Sequence, residues 1–283
     1  MLAYHDTPIQ QVPDLRLREA GITLFVKRED LNHPTVSGNK WWKLKYNLAE
    51  ARRVGSTTLL TFGGAYSNHI YATAAAAREL NFKSIGIIRG EETLPHNSVL
   101  QFALDQGMIL HYMSRDEYRR KDQEDVSSQL RDRFGNFYLI PEGGSNTLAA
   151  QGISEFGSLL GEHFDYLCCP VGTGATMAGL IRCFKGTKRI LGFPVLKGDD
   201  WSGEIEKYNP GFSNWRLIHD YHGGGYAKQT PELRVFIEEF TRLHFPIENV
   251  YSGKLFYGIF DLVAKGYFEE GSNIMAIHTG GIH

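Results

Sequence analysis

The sequence predicts an α/β fold, because short apolar segments alternate with longer segments of helical composition along most of the chain. The apolar segments are rich in branched or aromatic residues, and most are followed within a few residues by a glycine or another breaker. We interpret them as buried strands. They are TTLLTF, KSIGII, MILHY, NFYLI, YLCCPV and RILGFPV.

The segments between these strands predict helices. They cover residues 68–80, 97–106, 117–133, 148–161 and 176–184, and the stretch SGNKWWKLKYNL predicts a further helix that starts near Lys40. Strands that alternate with helices of this length indicate βαβ units, in which helices cover both faces of a parallel sheet. At 283 residues we expect two domains, although no linker or repeat marks a boundary.

Composition excludes several kinds of partner. Lys and Arg together number 30 against 32 Asp and Glu, without a long run of one sign, so we expect no nucleic acid to bind. No apolar run approaches the roughly 18 residues of a membrane span, and MLAYHDTPIQ lacks the features of a signal peptide. We therefore expect a soluble, cytoplasmic protein that binds no membrane and acts on a small molecule.

Cysteine and histidine spacing indicates neither disulfides nor a metal. Cys168, Cys169 and Cys183 are an odd number without C-x-x-C spacing, so we expect reduced, buried thiols. The histidines at positions 69, 219, 222, 278 and 283 show no metal-ligand spacing and are interpreted as structural.

Lys40 occupies an unusual position for a lysine. It follows Gly38 and Asn39 in what reads as the first turn of a helix, where the helix dipole disfavours an ammonium group. A nucleophilic lysine requires a disfavoured protonated form, through such a dipole or through burial, because only the free amine attacks a carbonyl. From this segment alone, Lys40 is either such a nucleophile or an exposed lysine that begins a helix.

Four glycine-containing loops follow predicted strands, where parallel sheets bind their ligands. In GTGATMAGL the glycines allow close backbone approach, while Thr173, Thr176 and the next helix offer donors that suit a phosphate. A tight connection without a ligand is the other interpretation. The spacing is not G-x-G-x-x-G and lacks G-K-[ST], which disfavours a nicotinamide-dependent dehydrogenase and excludes a P-loop. The four loops are GGAYSNH, PEGGSN, GTGATMAGL and HTGGIH.

Taken together, the GNK lysine, the Ser–Asn pair, GTGAT and HTGG resemble the pyridoxal-phosphate enzymes of the tryptophan synthase β-subunit class. The closer likeness is to the family of 1-aminocyclopropane-1-carboxylate deaminase and D-cysteine desulfhydrase, and it runs from TPIQQVP and LFVKREDLNHPTVSGNKWWKL to HTGG. The resemblance implies two three-layer α/β/α domains with mostly parallel sheets. Residues 48–150 would form a small domain and residues 1–47 and 151–283 a large one, with pyridoxal 5'-phosphate between them in a homodimer.

The resemblance also implies individual roles. Lys40 matches the lysine that binds the cofactor covalently and then acts as the base at the substrate Cα. Asn68 matches the ligand of the cofactor's phenolic oxygen, and Ser67 matches a residue that meets the substrate carboxylate and assists proton transfer. Lys43 either adds charge near the phosphate or is solvated. The phosphate cradle would comprise Gly172, Thr173, Gly174, Ala175 and Thr176.

Two tyrosines and two hydroxyl residues complete the implied site. Tyr251, in VYSGK, and Tyr226, in GGGYAK, match active-site tyrosines of the family. Ser252 and Thr279 match positions near the cofactor's pyridine nitrogen.

The residue type at position 252 helps to predict which reaction the site catalyses. In deaminases of the cyclopropane substrate the corresponding position resembles a glutamate, and a carboxylate would favour the protonated pyridine and a stronger electron sink. Serine predicts D-cysteine desulfhydrase-like β-elimination to pyruvate, ammonia and sulfide. The alternatives are deamination of aminocyclopropane carboxylate to 2-oxobutanoate and ammonia, and a non-catalytic pyridoxal-phosphate-binding protein.

Overall fold

A computed structural model describes residues 2–198, 201–209 and 211–282, so that His283 lies outside the described residues. The chain divides into two compact units. The first comprises Pro34–Val36 and Lys40–Ala149 with the start of the chain, and the second comprises Tyr4–His33, Ser37–Asn39 and the residues from Ala150 onward. The predicted α/β class is confirmed. The domain boundaries at residues 48 and 150 stay a prediction.

The strands follow one another along the chain as β1 (Ile9–Gln11), β2 (Thr23–Lys27), β3 (Thr58–Gly63), β4 (Lys83–Arg89), β5 (Ile109–Met113), β6 (Tyr138–Ile140), β7 (Tyr166–Val171), β8 (Arg189–Pro194), β9 (Trp215–Leu217) and β10 (Asn273–Ile277). The helices are α1 (Leu15–Glu19), α2 (Asn39–Arg53), α3 (Asn68–Glu79), α4 (Ser98–Asp105), α5 (Arg115–Arg119), α6 (Glu124–Phe134), α7 (Thr147–Gly157), α8 (Ala175–Phe184), α9 (Ser202–Tyr208), α10 (Pro231–Leu243) and α11 (Ser252–Ala264).

The first unit contains a parallel sheet in the order β5-β4-β3-β6. Alternate residues of β4 point to opposite faces, so Ile85 and Ile87 pack with α6 while Ile88 packs with α3 and α4. Helices therefore cover both faces. Trp41 and Trp42 are buried within this unit, and Trp41 Nε1 donates to the carbonyl of Ala3 over 2.8 Å.

The second unit contains a sheet in the order β1-β2-β10-β7-β8-β9, in which β1 alone is antiparallel to its neighbour. On one face, α1, α10 and α11 pack through an aromatic core that includes Phe236, Phe240 and Phe256. On the other face α8 lies so close that Met177 meets Gly192 of β8. This arrangement brings the carboxyl ends of β7, β8 and β10 to one edge of the sheet.

The predicted strands are present, and most predicted helices are observed within a few residues of their expected bounds. The exception is the predicted helix 117–133, which consists of α5 and α6. A capping box between Ser114 and Glu117 starts α5 early, and the residues before α6 leave the helical path. The sequence patterns left β1, β2, β9, α1, α9, α10 and α11 unassigned.

Cys168 and Cys169 are buried in the central strand β7, and Cys183 is half-buried; all three are free thiols. Within the residues that the structure describes, no three metal-ligating side chains form a candidate metal site. No helix in the described ranges combines the length and apolar character needed to cross a membrane.

Candidate active site

The turn before Lys40 is held by a buried polar network. Gly38 has φ of 70°, and a Cβ there would lie 1.8 Å from the carbonyl oxygen of Thr279. The Asn32 side chain accepts from Gly38 N over 2.9 Å and donates to Gly38 O over 3.0 Å. Its amide also donates to the fully buried carboxylate of Glu29 over 2.8 Å. The backbone that leads into Lys40 is therefore fixed before α2 begins.

Lys40 is the second residue of α2. Its side chain keeps some exposed surface, but most of it is surrounded by protein, and this desolvation lowers the pKa of Lys40 from 10.5 to about 8. At neutral pH roughly a tenth of such a group is the free amine, far more than for an exposed lysine. Burial thus supplies what a nucleophilic lysine needs.

Lys43 lies one turn further along α2 and is only 3% exposed. Its Nζ donates to the carbonyl of Gly143 over 3.1 Å. This burial excludes the interpretation of Lys43 as a solvated lysine. Its assignment to the phosphate stays a prediction.

Ser67 and Asn68 lie where α3 begins. The Ser67 side-chain oxygen accepts from the backbone N–H groups of His69 and Ile70 over 3.2 and 3.3 Å and so caps the helix. The Ser67 hydroxyl proton stays available for another acceptor. Asn68 is the first helical residue, and the backbone N–H at such a position has no acceptor within the helix. A carboxylate suits this helix terminus.

His69 is buried beside the candidate residues of α2 and α3, which the spacing of histidines in the sequence did not indicate. The Thr61 hydroxyl donates to Ile140 O over 2.8 Å, so it accepts from His69 Nε2–H over the same distance. That bond selects the Nε2–H tautomer and leaves Nδ1 as an acceptor without a hydrogen-bond partner among the described residues. Burial, followed by the charges of Lys40 and Lys43, lowers the pKa of His69 well below 6.5. His69 is therefore a neutral side chain.

The GTGAT loop connects β7 to α8. Gly174 adopts a left-handed conformation with φ of 81°, and no side chain caps the helix that Ala175 begins. Thr176 is 5% exposed, and its hydroxyl oxygen accepts from the Asn39 side chain over 2.8 Å. This bond uses a lone pair of the hydroxyl oxygen, so the hydroxyl proton remains available for donation to a ligand. Thr173 precedes the cap, so hydroxyl and backbone donors share this loop.

Tyr251 lies against the same loop. A Cβ on Gly172 would be 3.1 Å from Tyr251 Cε1 and 3.3 Å from its hydroxyl oxygen, so the ring packs closely against this glycine. The ring of Tyr226 meets that of Tyr251 edge to face, with centroids 6.3 Å apart. The second unit therefore brings Gly172, Tyr226 and Tyr251 together.

Ser252 is fully buried at the start of α11. Its hydroxyl donates to Glu248 Oε1 over 3.1 Å and accepts from Glu248 N over 2.9 Å. The Glu248 carboxylate also accepts from the backbone N–H groups of Val250, Tyr251 and Ser252 over 2.6 to 2.7 Å. Burial raises the pKa of Glu248 although these hydrogen bonds oppose the shift.

Thr279 follows β10 and is 7% exposed. Its carbonyl accepts from Asn39 N over 3.4 Å, which joins the C-terminal TGG segment to the turn before Lys40. Of the predicted residues, Lys40, Lys43, Ser67 and Asn68 belong to the first unit. The others belong to the second, namely Gly172, Thr173, Gly174, Ala175, Thr176, Tyr226, Tyr251, Ser252 and Thr279.

A model of the family described as "Pyridoxal-phosphate dependent enzyme" matches residues 1–280 of the chain. The chain belongs to this family. Among curated relatives of this pyridoxal-phosphate enzyme, a Pyrococcus furiosus protein provisionally named 1-aminocyclopropane-1-carboxylate deaminase is 33% identical, over 98% of this chain and 90% of its own length. An Arabidopsis thaliana protein named a mitochondrial bifunctional D-cysteine desulfhydrase/1-aminocyclopropane-1-carboxylate deaminase is 30% identical, over 99% of this chain and 77% of its own.

A solved structure titled as an ACC deaminase homologue superposes with a TM-score of 0.86 at 29% identity, over 100% of this chain and 91% of the other. The predicted tryptophan synthase β-subunit-like architecture and the predicted family are confirmed. The pyridoxal-phosphate enzyme is accordingly a lyase-type enzyme rather than a non-catalytic binding protein.

The described residues fit pyridoxal phosphate. The uncapped N-terminus of α8 and the free proton of the Thr176 hydroxyl suit a phosphate group. Lys40 has the lowered pKa that bonding to an aldehyde requires.

Sequence patterns missed the residues that hold the turn before Lys40 and the start of α11 in place, namely Glu29, Asn32 and Glu248. Polar side chains at buried positions identify them, but burial is a property of the folded chain.

Proposed function

We propose that this enzyme catalyses β-elimination from a small amino acid of the D-cysteine type, giving sulfide, pyruvate and ammonia. Overall, cysteine and one water are consumed, the Cα–H, Cβ–S and Cα–N bonds break, and the water oxygen becomes the keto oxygen of pyruvate. The observation that supports this choice is the buried hydroxyl of Ser252, where a carboxylate would strengthen the electron sink. A thiolate is a good leaving group, so its expulsion requires less electron withdrawal by the cofactor than the opening of an unactivated cyclopropane ring.

The chain's own residues would perform the proton chemistry. Lys40 Nζ, in its neutral form, would hold the cofactor through its aldehyde and, once the substrate amine has displaced it, would act as the base that takes the proton from the substrate Cα. The helix start at Asn68 and the Ser67 hydroxyl hold the substrate carboxylate. Tyr251 and Tyr226 border the reacting groups. When bound, pyridoxal phosphate supplies the electron sink that spreads the negative charge left at Cα.

Cofactor binding would rely on a second set of residues. Thr173, Thr176 and the N-terminus of α8 hold the phosphate, and Lys43 adds positive charge. Asn68 binds the phenolic oxygen, while Ser252 and Thr279 approach the pyridine nitrogen.

A second candidate is deamination of aminocyclopropane carboxylate. The Glu248 carboxylate contacts the Ser252 hydroxyl over 3.1 Å, so negative charge stands directly behind the serine. This charge polarises the hydroxyl and strengthens it as a partner for a protonated pyridine. The names of the curated relatives also favour this reaction, and one of those names carries both activities.

The test is a product assay with D-cysteine, L-cysteine, D-serine and aminocyclopropane carboxylate, scored for sulfide, keto acid and ammonia. Lys40→Ala protein serves as the control for activity from contaminants. Sulfide and pyruvate from D-cysteine support the proposal. Ammonia and 2-oxobutanoate from the cyclopropane, without sulfide from D-cysteine, would replace it with the deaminase.

The expected homodimer and cytoplasmic location stay predictions. Light scattering on the purified protein measures the first, and fractionation of cells that express it measures the second.

A further inference from the structure

Lys254, the third residue of α11, is fully buried. Its Nζ donates to the carbonyl oxygens of Gly225 and Val195 over 2.7 and 3.1 Å. Burial lowers the pKa of Lys254 to about 8, and the Glu248 carboxylate opposes this shift. Lysine is almost never fully buried without partners, because removing an ammonium from water is costly. The carbonyl groups of Gly225 and Val195 therefore supply the partners that this burial requires.

The loop that Lys254 holds has an unusual backbone. Gly223, Gly224 and Gly225 have φ values of 62°, 96° and 127°, and Ala227 has φ of 56°. A left-handed conformation costs a non-glycine residue about 1–2 kcal/mol, so Ala227 is strained. Such a loop persists only where surrounding groups hold it.

Lys254 lies directly beneath this loop. A Cβ on Gly223 would lie 3.4 Å from Lys254 Cε and 3.0 Å from the carbonyl oxygen of Lys228. The carbonyl of Gly225 accepts from both Lys254 Nζ and Lys228 N, the latter over 3.1 Å. The ammonium group thus binds the loop at its centre.

Tyr226 is the residue attached to that carbonyl, since it follows Gly225 directly. Its ring meets Tyr251, which in turn lies against Gly172 of the GTGAT loop. Tyr251 and Lys254 belong to the same helical start, so one element supports Tyr226 from two sides. A shift at the Gly225 carbonyl would move the Tyr226 ring.

We propose that Lys254 is a positioning residue that holds Tyr226 against Tyr251 by binding the carbonyl of Gly225. This inference rests on the proposed function, in which both tyrosines border the reacting groups. Lys254 itself touches no reacting atom. It acts through the loop, and its loss would free Tyr226 while leaving Lys40 and the GTGAT loop in place.

The first test is amide hydrogen exchange in cofactor-free protein, which does not depend on any activity. Lys254→Met keeps most of the buried stem but removes the donor, and Lys207→Met, at an exposed position of α9, is the control. We expect exchange in residues 224–228 to accelerate at least about tenfold in Lys254→Met, with α11 still protected. If residues 224–228 of Lys254→Met exchange as slowly as those of the wild type, the proposal is overturned.

The second test is a double-mutant cycle with Tyr226→Phe, measured as kcat/KM on whichever substrate the product assay identifies. We expect Lys254→Met to lower kcat/KM about tenfold in the wild-type background and less than about twofold in Tyr226→Phe. Equal losses in both backgrounds would assign Lys254 a purely structural role and reject the proposal.

Gly223→Ala provides a second route if Lys254→Met does not fold. It disturbs the same loop next to Lys254, because its φ is positive and its Cβ would lie 3.0 Å from Lys228 O and 3.4 Å from Lys254 Cε. Gly223→Ala should also lower kcat/KM more in the wild-type background than in Tyr226→Phe. Equal losses in the two backgrounds count against the proposal. If the wild type turns over none of the substrates, the proposed function fails, whereas hydrogen exchange still decides whether Lys254 holds the loop.

Discussion

Lys40 and His69 are single residues whose protonation is set by burial. Desolvation lowers the pKa of Lys40 to about 8, and burial together with two lysine charges keeps His69 neutral. Thr176 adds a hydroxyl whose oxygen is occupied by Asn39. Burial therefore sets the protonation of Lys40 and His69, and hydrogen bonds to Thr61 and Asn39 orient His69 and Thr176.

Replacing Lys40 with alanine tests the covalent link to the cofactor. Borohydride reduction followed by peptide mass analysis should find no cofactor attached in Lys40→Ala, and turnover should stop because both the linkage and the base are lost. Lys45→Ala, on the same helix, should retain both. Cofactor attached to another lysine of Lys40→Ala would assign the linkage elsewhere.

The pKa of Lys40 predicts how cofactor attachment depends on pH. Only the neutral amine reacts, so the rate of covalent binding should rise about tenfold per pH unit below about 8 and level off above it. Stopped-flow absorbance measures this rate. A midpoint near 10.5, the ordinary lysine value, would mean that burial does not act on the reacting amine.

At the scale of elements, the starts of four helices carry predicted site residues. Lys40, Asn68, Ala175 and Ser252 each lie in the first turn of a helix, where backbone N–H groups lack helical acceptors. Ser67 caps one of these helices and Glu248 another, while the GTGAT helix has no side-chain cap. The start of α8, which no side chain caps, is the one assigned to the phosphate.

Gly38→Ala tests the turn that leads into α2. At Gly55, with φ of 72° and open space around it, alanine should cost about 1–2 kcal/mol through backbone strain alone. At Gly38 we expect at least about 3 kcal/mol more, since the new Cβ would overlap the backbone of Thr279. Urea unfolding of both variants measures the difference. Equal losses would show that the turn adjusts without cost.

Glu248→Gln tests the start of α11. Both carboxylate oxygens accept from backbone N–H groups, so an amide nitrogen would face a donor. We expect a loss of about 1–3 kcal/mol in the free energy of unfolding. The exposed Glu206→Gln serves as the control, and no loss in Glu248→Gln would mean that this cap is dispensable.

At the scale of the whole molecule, a mostly parallel sheet organises each unit, and most candidate residues lie in loops at the carboxyl ends of strands or in the helix starts that follow those loops. A cofactor that binds only the native chain should stabilise the fold. At a free cofactor concentration 100 times Kd, the expected gain is about 2.7 kcal/mol.

Thermal unfolding with and without pyridoxal phosphate measures this gain. Thr176→Val should bind the cofactor more weakly by about 1–3 kcal/mol, so its shift in Tm at the same cofactor concentration should be smaller. Thr57→Val, at an exposed position, should match the wild type. An undiminished shift in Thr176→Val would place the phosphate elsewhere.

Local patterns in the sequence determined the α/β class, the strands of both sheets that are long and apolar, and the order of the glycine loops. Those features follow from hydrophobic periodicity and turn residues, which act over a few neighbours. Edge strands β1 (IQQ) and β9 (WRL) escaped because neither has a fully buried residue or an apolar run, unlike the equally short β6 within NFYLI. Helix α11 escaped because it begins with Ser252 and Gly253, which are poor helix formers whose backbone N–H groups donate to the carboxylate and the carbonyl of Glu248.

Only the tertiary structure decided which polar side chains are buried and which hydrogen bonds they make. The tautomer of His69 depends on Thr61, 8 residues away, and the hydroxyl of Thr176 depends on Asn39, 137 residues away. Lys254 resembles any other lysine in the sequence until the fold removes it from water and surrounds it with carbonyl groups. Burial and hydrogen-bond partners arise from packing between distant segments, and no local pattern encodes them.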